Sequence, residues 1–210
     1  MEKSRIKIWG RKDSSNVQKV LWCCGELDLA FDRIDVGGAF GGNKEASYLR
    51  LNPNGLVPTV EDDGFVLWES NSIVRYLIEK YGEGRLTPPT PEGRADANRW
   101  MDWQLTTLGP AMVPLFWGLI RTPAEKRDPA SIEQALKKST RVWEILNGHL
   151  AKTPFVAGDD VSFGDIPLGI WAYRWFKLPI DRPALGHLQR WYERLAERKA
   201  YQTHVMIPLT

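Results

Sequence analysis

The sequence predicts an α/β domain followed by an all-helical domain, and three observations carry that reading. Short segments alternate between strand-like and helical periodicity as far as residue 82. The stretch Gly82–Pro91 then gathers three prolines and two glycines into ten residues, a density that neither a helix interior nor a central strand tolerates. Beyond it the periodicity is wholly helical. The expected division is 1–82 for the first domain, 83–92 for a linker and 93–210 for the helical domain. A chain of 210 residues has room for two small domains, each with its own core.

Each element follows from its local pattern. Arg5–Trp9 alternates polar and apolar residues as a half-buried strand does. Asn16–Leu27 repeats Val17, Val20, Leu21, Cys24 and Leu27 at helical spacing. Phe31–Val36 reads as a second strand, and Lys44–Leu51 as a short helix ended by the turn residues Asn52-Pro53-Asn54-Gly55. Leu56–Val60 and Phe65–Trp68 are strands around Asp62-Asp63-Gly64, a hairpin turn by composition. Ser70–Lys80 is the last helix before the linker. The order β-α-β-α-β-β-α favours a parallel pair at the start and an antiparallel hairpin at the end. After the linker, Arg94–Leu108 reads as a long helix with a bend near Pro110 and Pro114. Ile132–Leu150 carries a core-facing stripe that includes Ala135, Ser139, Trp143 and Leu146. Ser162-Phe-Gly-Asp165 has the form of a capping box, with Asp in place of Glu, before the apolar helix Ile166–Phe176. Leu185–Glu197 closes the expected set.

Composition excludes several classes of function. Twenty-eight basic residues nearly cancel 26 acidic ones, which argues against a nucleic-acid footprint. No apolar run reaches the ~18 residues of a membrane span, and the opening MEKSRIKIWGRK lacks the apolar stretch of a signal peptide. A cytoplasmic protein is expected. The two cysteines, Cys23 and Cys24, are adjacent and poorly placed for an ordinary disulfide. Histidines at 149, 187 and 204 show no metal-ligand spacing, so no metal is expected. Seven of the ten tryptophans follow the linker, so the aromatic excess belongs to the helical half.

Three patches carry candidate chemistry. Lys12-Asp-Ser-Ser-Asn-Val-Gln18 offers hydroxyls and free backbone N–H groups at a helix start, suited either to capping by Ser14, Ser15 or Asn16 or to an anion. Asn54-Gly-Leu-Val-Pro-Thr59 places Pro58 at a strand start; a cis bond there would turn the Val57 backbone outward to pair with an extended ligand. Trp68-Glu-Ser-Asn-Ser-Ile73 sets a carboxylate, Glu69, beside a helix-start serine, Ser70. That pair suits either a capped surface helix or the zwitterionic end of an amino acid.

The order and spacing of these patches, with the proline-rich linker and the helical remainder, resemble the glutathione transferase family, in particular bacterial theta- and delta-like members with a Ser/Asn active loop. The resemblance implies a thioredoxin-like N-terminal domain, an all-helical C-terminal domain, a homodimer, and glutathione as co-substrate with no permanently bound cofactor. It implies that Val57 pairs by backbone with the cysteinyl part of glutathione beside cis-Pro58. Glu69 and Ser70 then hold the γ-glutamyl end, and Asn43, with Lys44 as the competing choice, meets the glycine carboxylate. Ser14 aligns with the thiol-activating serine and Asn16 with an asparagine used beside it; Asp102 would reach the partner subunit's glutathione. Arg11, Met112, Phe116, Trp117 and Trp175 are the expected walls of a pocket for a small hydrophobic electrophile. The implied reaction is attack by the glutathione thiolate on an apolar electrophile. The alternatives are a glutathione-dependent reductase, lyase or isomerase, or a non-catalytic glutathione-binding protein. The active loop holds no cysteine and no tyrosine, which disfavours thiol exchange through the protein and tyrosine activation.

Overall fold

The computed structural model describes residues 6–210. Arg5, expected to open the first strand, and the remainder of 1–5, expected to begin the first domain, lie outside the described residues. β1 (Ile6–Trp9), β2 (Phe31–Ile34), β3 (Thr59–Asp62) and β4 (Phe65–Trp68) form a four-stranded sheet in the order β2-β1-β3-β4. β1 and β2 are parallel and are joined through α1 (Ser15–Glu26); β3 runs antiparallel to both β1 and β4. Ile6 and Ile8 are buried while Lys7 between them is exposed, which is the alternation that identified β1.

β3 starts at Thr59, later than the expected Leu56, immediately after Pro58, which has no N–H to offer a ladder. β2 also stops early, at Ile34 rather than Val36. The expected Lys44–Leu51 helix contracts to a single turn, α2 (Ala46–Leu49); the turn run beginning at Asn52, with Asn52 itself restricted by Pro53, stops it. Tyr48 of α2 ties this turn to the strand, its hydroxyl donating to Leu56 O at 2.7 Å and meeting Thr59 Oγ1 at 2.8 Å. α3 (Ser70–Tyr81) packs on α1, burying Ile73, Val74 and Leu77 with Val17, Val20, Leu21 and Cys24 in the same core as Ile6, Ile8 and Val60.

The helical half begins with α4 (Pro91–Trp103) and α5 (Gly109–Phe116), linked by a π turn at Gln104–Leu108 and followed by another at Trp117–Arg121. The path therefore runs well past Leu108, where the first helix was expected to stop. Pro110 brings no N–H and its ring crowds the preceding turn, so the helix widens at Gln104–Leu108 instead of breaking; Pro114 is accommodated inside α5. Gly109 N–H reaches back to Gln104 O, and Thr122 N–H to Trp117 O at 2.8 Å. α6 (Pro129–His149) is capped by the Asp128 carboxylate, which accepts from Ala130 N–H at 3.1 Å. α7 (Asp165–Lys177) is buried along its whole first eleven residues and forms the centre of the bundle. Its start departs from the expected capping box: the Asp165 carboxylate does take the Ser162 N–H, but Asp165 N–H goes to Ser162 O at 3.0 Å and the Ser162 hydroxyl accepts from Gly164 N–H at 3.2 Å. Asp165 accepts from Ser162 N–H at 2.8 Å and Ser162 Oγ at 3.0 Å, and also from Val156 N–H at 3.1 Å and Trp191 Nε1 at 2.8 Å.

α8 (Gly186–Ala196) is followed by α9 (Lys199–His204), which periodicity did not reveal; six residues span too few turns to display it. α9 matters because Tyr201 is buried edge-on against Trp22 of α1, with ring centroids 4.7 Å apart. Trp22 is also fully buried and lies against Gly169 of α7, where any Cβ would meet its ring at 2.8 Å. A buried tryptophan removes on the order of 200 Å² from water, about 5 kcal/mol at most by area. α1 is thus the shared wall of the two halves. A bidentate ion pair from Arg198 to Glu26 closes the same seam, and Arg85, between α3 and α4, donates to Leu27 O at 3.1 Å. Among the described residues no helix is long and apolar enough to cross a membrane.

Candidate functional site

The candidate site lies where the N-termini of α1 and α3 meet the loop before β3. The meeting depends on Gly10 at the end of β1. A Cβ there would fall 2.4 Å from Val17 Cγ2 and 3.2 Å from Val57 Cβ. Any larger residue at position 10 would push α1 and the Val57-Pro58 segment apart.

Ser14 is the residue before α1, in extended geometry with φ −71° and ψ 127°. Its hydroxyl makes no capping bond, nor do Ser15 or Asn16 supply one, so the capping role open to these residues is not the one they adopt. The first helical bond is Gln18 N–H to Ser14 O at 2.9 Å. Among the described residues, no acceptor meets the N–H groups of Ser15, Asn16 and Val17. Ser14 is half-buried and Asn16 exposed. The result is an open helix terminus with a hydroxyl at its mouth, a ready anion site.

Val57 and Pro58 are joined by a cis peptide bond. Pro58 is buried and Val57 half-buried, and no described residue engages the backbone N–H or C=O of Val57. Glu69 follows β4 with φ +73°, a region that non-glycine residues occupy at some cost, and its side chain is exposed. Ser70 behind it is buried and opens α3, whose first backbone bond is Ile73 N–H to Glu69 O at 2.9 Å. A carboxylate, an unengaged strand-like backbone and two open helix N-termini therefore line one edge of the sheet domain.

Beneath that edge sits a residue that pattern reading passed over. Lys19 of α1 is fully buried and donates to Ser70 Oγ at 3.3 Å, Asn71 Oδ1 at 3.0 Å and Gln104 Oε1 at 2.7 Å. Burial pulls its pKa down to about 7 against the opposing charge of Glu69. One signal was available: Lys19 stands four positions before Cys23 and three before Trp22, on an apolar face. Arg174, also unforeseen, is buried on α7 and donates to Asp13 O at 3.2 Å and Gln18 Oε1 at 3.1 Å.

The remaining expected residues are placed as follows. Asn43 donates its amide to Gly55 O at 2.7 Å, bracing the loop before Val57, while Lys44 is exposed beside it. Asp102 accepts from Arg75 at 2.7 Å within the same chain. Arg11, Phe116 and Trp117 gather near the Ser14 end, through Asp13, Arg121 and Arg174. Met112 and Trp175 require correction. Both have no exposed surface, Met112 receiving Trp143 Nε1 on its sulfur at 3.2 Å, so they pack the bundle; Trp175 backs a separate concavity with Phe176, Arg182 and Tyr192, which holds none of the residues at the Ser14 end. Trp117, by contrast, is 56% exposed. Cys23 and Cys24 are both fully buried, and burial pushes the Cys24 thiol up to about 12. A concavity of about 780 Å³ opens between Gly25 and His204 at the opposite end of α1 and holds none of these groups.

This arrangement is that of the glutathione S-transferases. Residues 9–86 match the profile of the glutathione S-transferase N-terminal domain and residues 108–199 that of the C-terminal domain. The chain belongs to this family. It is 43% identical to glutathione S-transferase GstB of Escherichia coli K12 over 98% of this chain and 100% of that protein. It is also 31% identical to the disulfide-bond oxidoreductase YfcG of the same organism, over 83% of this chain and 82% of that protein. Among solved structures, it superposes with a TM-score of 0.95 and 50% identity on the theta class glutathione S-transferase from Xanthomonas axonopodis pv. citri with glutathione bound, covering 99% of this chain and 100% of that one.

Proposed function

We propose that this glutathione transferase lays glutathione along the edge from Glu69 to Ser14 and activates its thiol for attack on an electrophile with an apolar body. The Val57 backbone, beside Pro58, pairs with the cysteinyl amide. Glu69 receives the γ-glutamyl ammonium, and the Ser70 hydroxyl and α3 N–H groups receive its carboxylate. Asn43 or Lys44 meets the glycine carboxylate. Ser14 donates its hydroxyl to the thiolate, and Asn16 and the N-terminus of α1 add to it.

The magnitudes suffice. A free thiol near pKa ~8.5 is mostly protonated at pH 7, and lowering it by about two units takes roughly 2.7 kcal/mol. One charge-assisted hydrogen bond contributes about 1.5–3 kcal/mol. The single observation that carries the reading is the Ser14 hydroxyl, free of any capping bond, at the open start of α1 beside the unengaged Val57 backbone.

The division at 83–92, a cytoplasmic location, where glutathione is held reduced, and a homodimer belong to the same proposal. Leu105, Val113 and Trp68 are exposed apolar side chains that a second copy would cover, bringing Asp102 toward the partner's glutathione. Titration calorimetry with glutathione, followed by conjugation to 1-chloro-2,4-dinitrobenzene, tests the reading. Micromolar to millimolar binding with turnover is expected; failure to bind glutathione removes it. The likeness to YfcG supports a second reading, glutathione-dependent disulfide reduction, which turnover of a glutathione-linked disulfide in place of the aryl chloride would favour.

A further inference from the structure

Three guanidinium groups crowd the Ser14 end of the groove, and one side-chain carboxylate serves them. Arg11 forms an ion pair with Asp13, and Arg121 lies 3.7 Å from the same carboxylate. Arg174 donates only to neutral oxygens, Asp13 O and Gln18 Oε1. Its Nε has no partner among the described residues, although the side chain is 5% exposed. Thr210 adds a main-chain oxygen that accepts from Arg121 Nε at 2.6 Å and a hydroxyl that donates to Asp13 at 2.7 Å. Even with that main-chain oxygen given a full negative charge, one positive charge is left over.

Holding like charges together under cover is unfavourable unless something of opposite sign joins them. Burial first, then the charges of Arg121 and Arg11, pull the Arg174 pKa down to about 10, so the cluster presses on itself. The surroundings are aromatic. Arg174 stands 5.0 Å from the Phe116 ring and 5.2 Å from Trp171; Arg121 stands 5.9 Å from Phe116 and 5.8 Å from the exposed Trp117. The cluster borders the thiol position, because Asp13 precedes Ser14 directly.

We propose that the second substrate is an organic anion: an electrophile whose carboxylate is held by Arg121 and Arg174 while its apolar body rests on the exposed Trp117, with Phe116 buried beneath the guanidinium groups. This rests on the transferase reading above and names its substrate class. The thiolate sulfur forms a bond to the electrophilic carbon, the bond from that carbon to the leaving group breaks, and the leaving group departs with the electron pair. The carboxylate is unchanged, and no oxidant or reductant enters.

The test is a matched pair, 4-chloro-3,5-dinitrobenzoate and 4-chloro-3,5-dinitrobenzamide, with kcat/KM for each divided by its uncatalysed rate with glutathione. The expected result is a preference for the benzoate of at least about tenfold, the range of one charge-assisted bond. Arg121→Gln should remove about 10–100-fold from the benzoate and far less from the benzamide. Arg174→Met should act likewise; should that buried variant fail to fold, Arg121→Gln decides alone. Equal use of both compounds by the parent overturns the proposal and leaves the transferase reading standing. Equal loss on both in Arg121→Gln also overturns it, because the arginines would then be acting on the thiolate. Conjugation of neither compound overturns the proposal, and turnover of 1-chloro-2,4-dinitrobenzene then decides separately whether the transferase reading stands.

Discussion

Replacing Lys19 by methionine removes an ammonium group that has no contact with water and three hydrogen-bond partners, Ser70, Asn71 and Gln104. Burial lowers its pKa from 10.5 to about 7 in the folded chain. Between roughly pH 7 and pH 10 the unfolded chain therefore keeps a proton that the folded chain has released, and stability rises with pH by up to about 1.4 kcal/mol per unit. Below the folded pKa both states are protonated and the whole desolvation penalty, at most about 5 kcal/mol, is present. Methionine has no such titration. Urea denaturation of the parent and of Lys19→Met at about pH 6.5, 8 and 9 should show the parent gaining about 1–3 kcal/mol relative to the variant as pH rises. Parallel curves would refute the reasoning, since Lys19 would then titrate alike in both states. The same substitution leaves the Asn71 and Gln104 oxygens without a donor, so at pH 6.5 the variant gains from lost desolvation and loses from orphaned acceptors. The pH slope separates the two.

Other consequences follow from contacts already described. Glu69→Gln should raise the glutathione dissociation constant about 10–100-fold by removing a charge-assisted bond, with little change in melting temperature because the side chain is exposed; calorimetry checks the first and thermal denaturation the second. Asp165→Ala should cost about 3–5 kcal/mol in chemical denaturation, since it orphans the donors of Ser162, Val156 and Trp191 inside the bundle. Neither Cys23 nor Cys24 should react with a thiol-specific disulfide reagent in the folded protein, and both should react in denaturant. Fast labelling of the native protein would contradict their burial.

What could be read in the sequence was local. β4 at Phe65–Trp68 and the Asp63-Gly64 turn each declare themselves within a few residues. The patches around Ser14, Val57-Pro58 and Glu69-Ser70 are visible one by one only as helix and strand starts; their order and spacing together carry the family resemblance. What could not be read depends on packing between distant segments. Arg11, Arg121 and Arg174 come from a loop, a π turn and a buried helix, and nothing in their spacing joins them. Met112 and Trp175 carried apolar side chains of the right size for a pocket wall, but only the packed bundle shows that they face inward. Asn43, with Lys44 as the competing choice, is implied by the family resemblance, and its bond to Gly55 depends on how two loops fold against each other. Lys19 lay in plain view on an apolar stripe; an amphipathic side chain at such a position usually extends to solvent, and here Gln104 of the helical half covers it.

The central claim is that the Ser14 hydroxyl lowers the pKa of the bound glutathione thiol. Ultraviolet difference titration of the thiolate in the glutathione complex measures this directly, with Ser14→Ala and Asn16→Ala beside the parent. The account predicts a bound thiol titrating about two units below its free value of ~8.5 in the parent, and a rise of at least about one unit in Ser14→Ala. A bound thiol that titrates at its free value in the parent, or a lowered one that Ser14→Ala leaves in place, would contradict it.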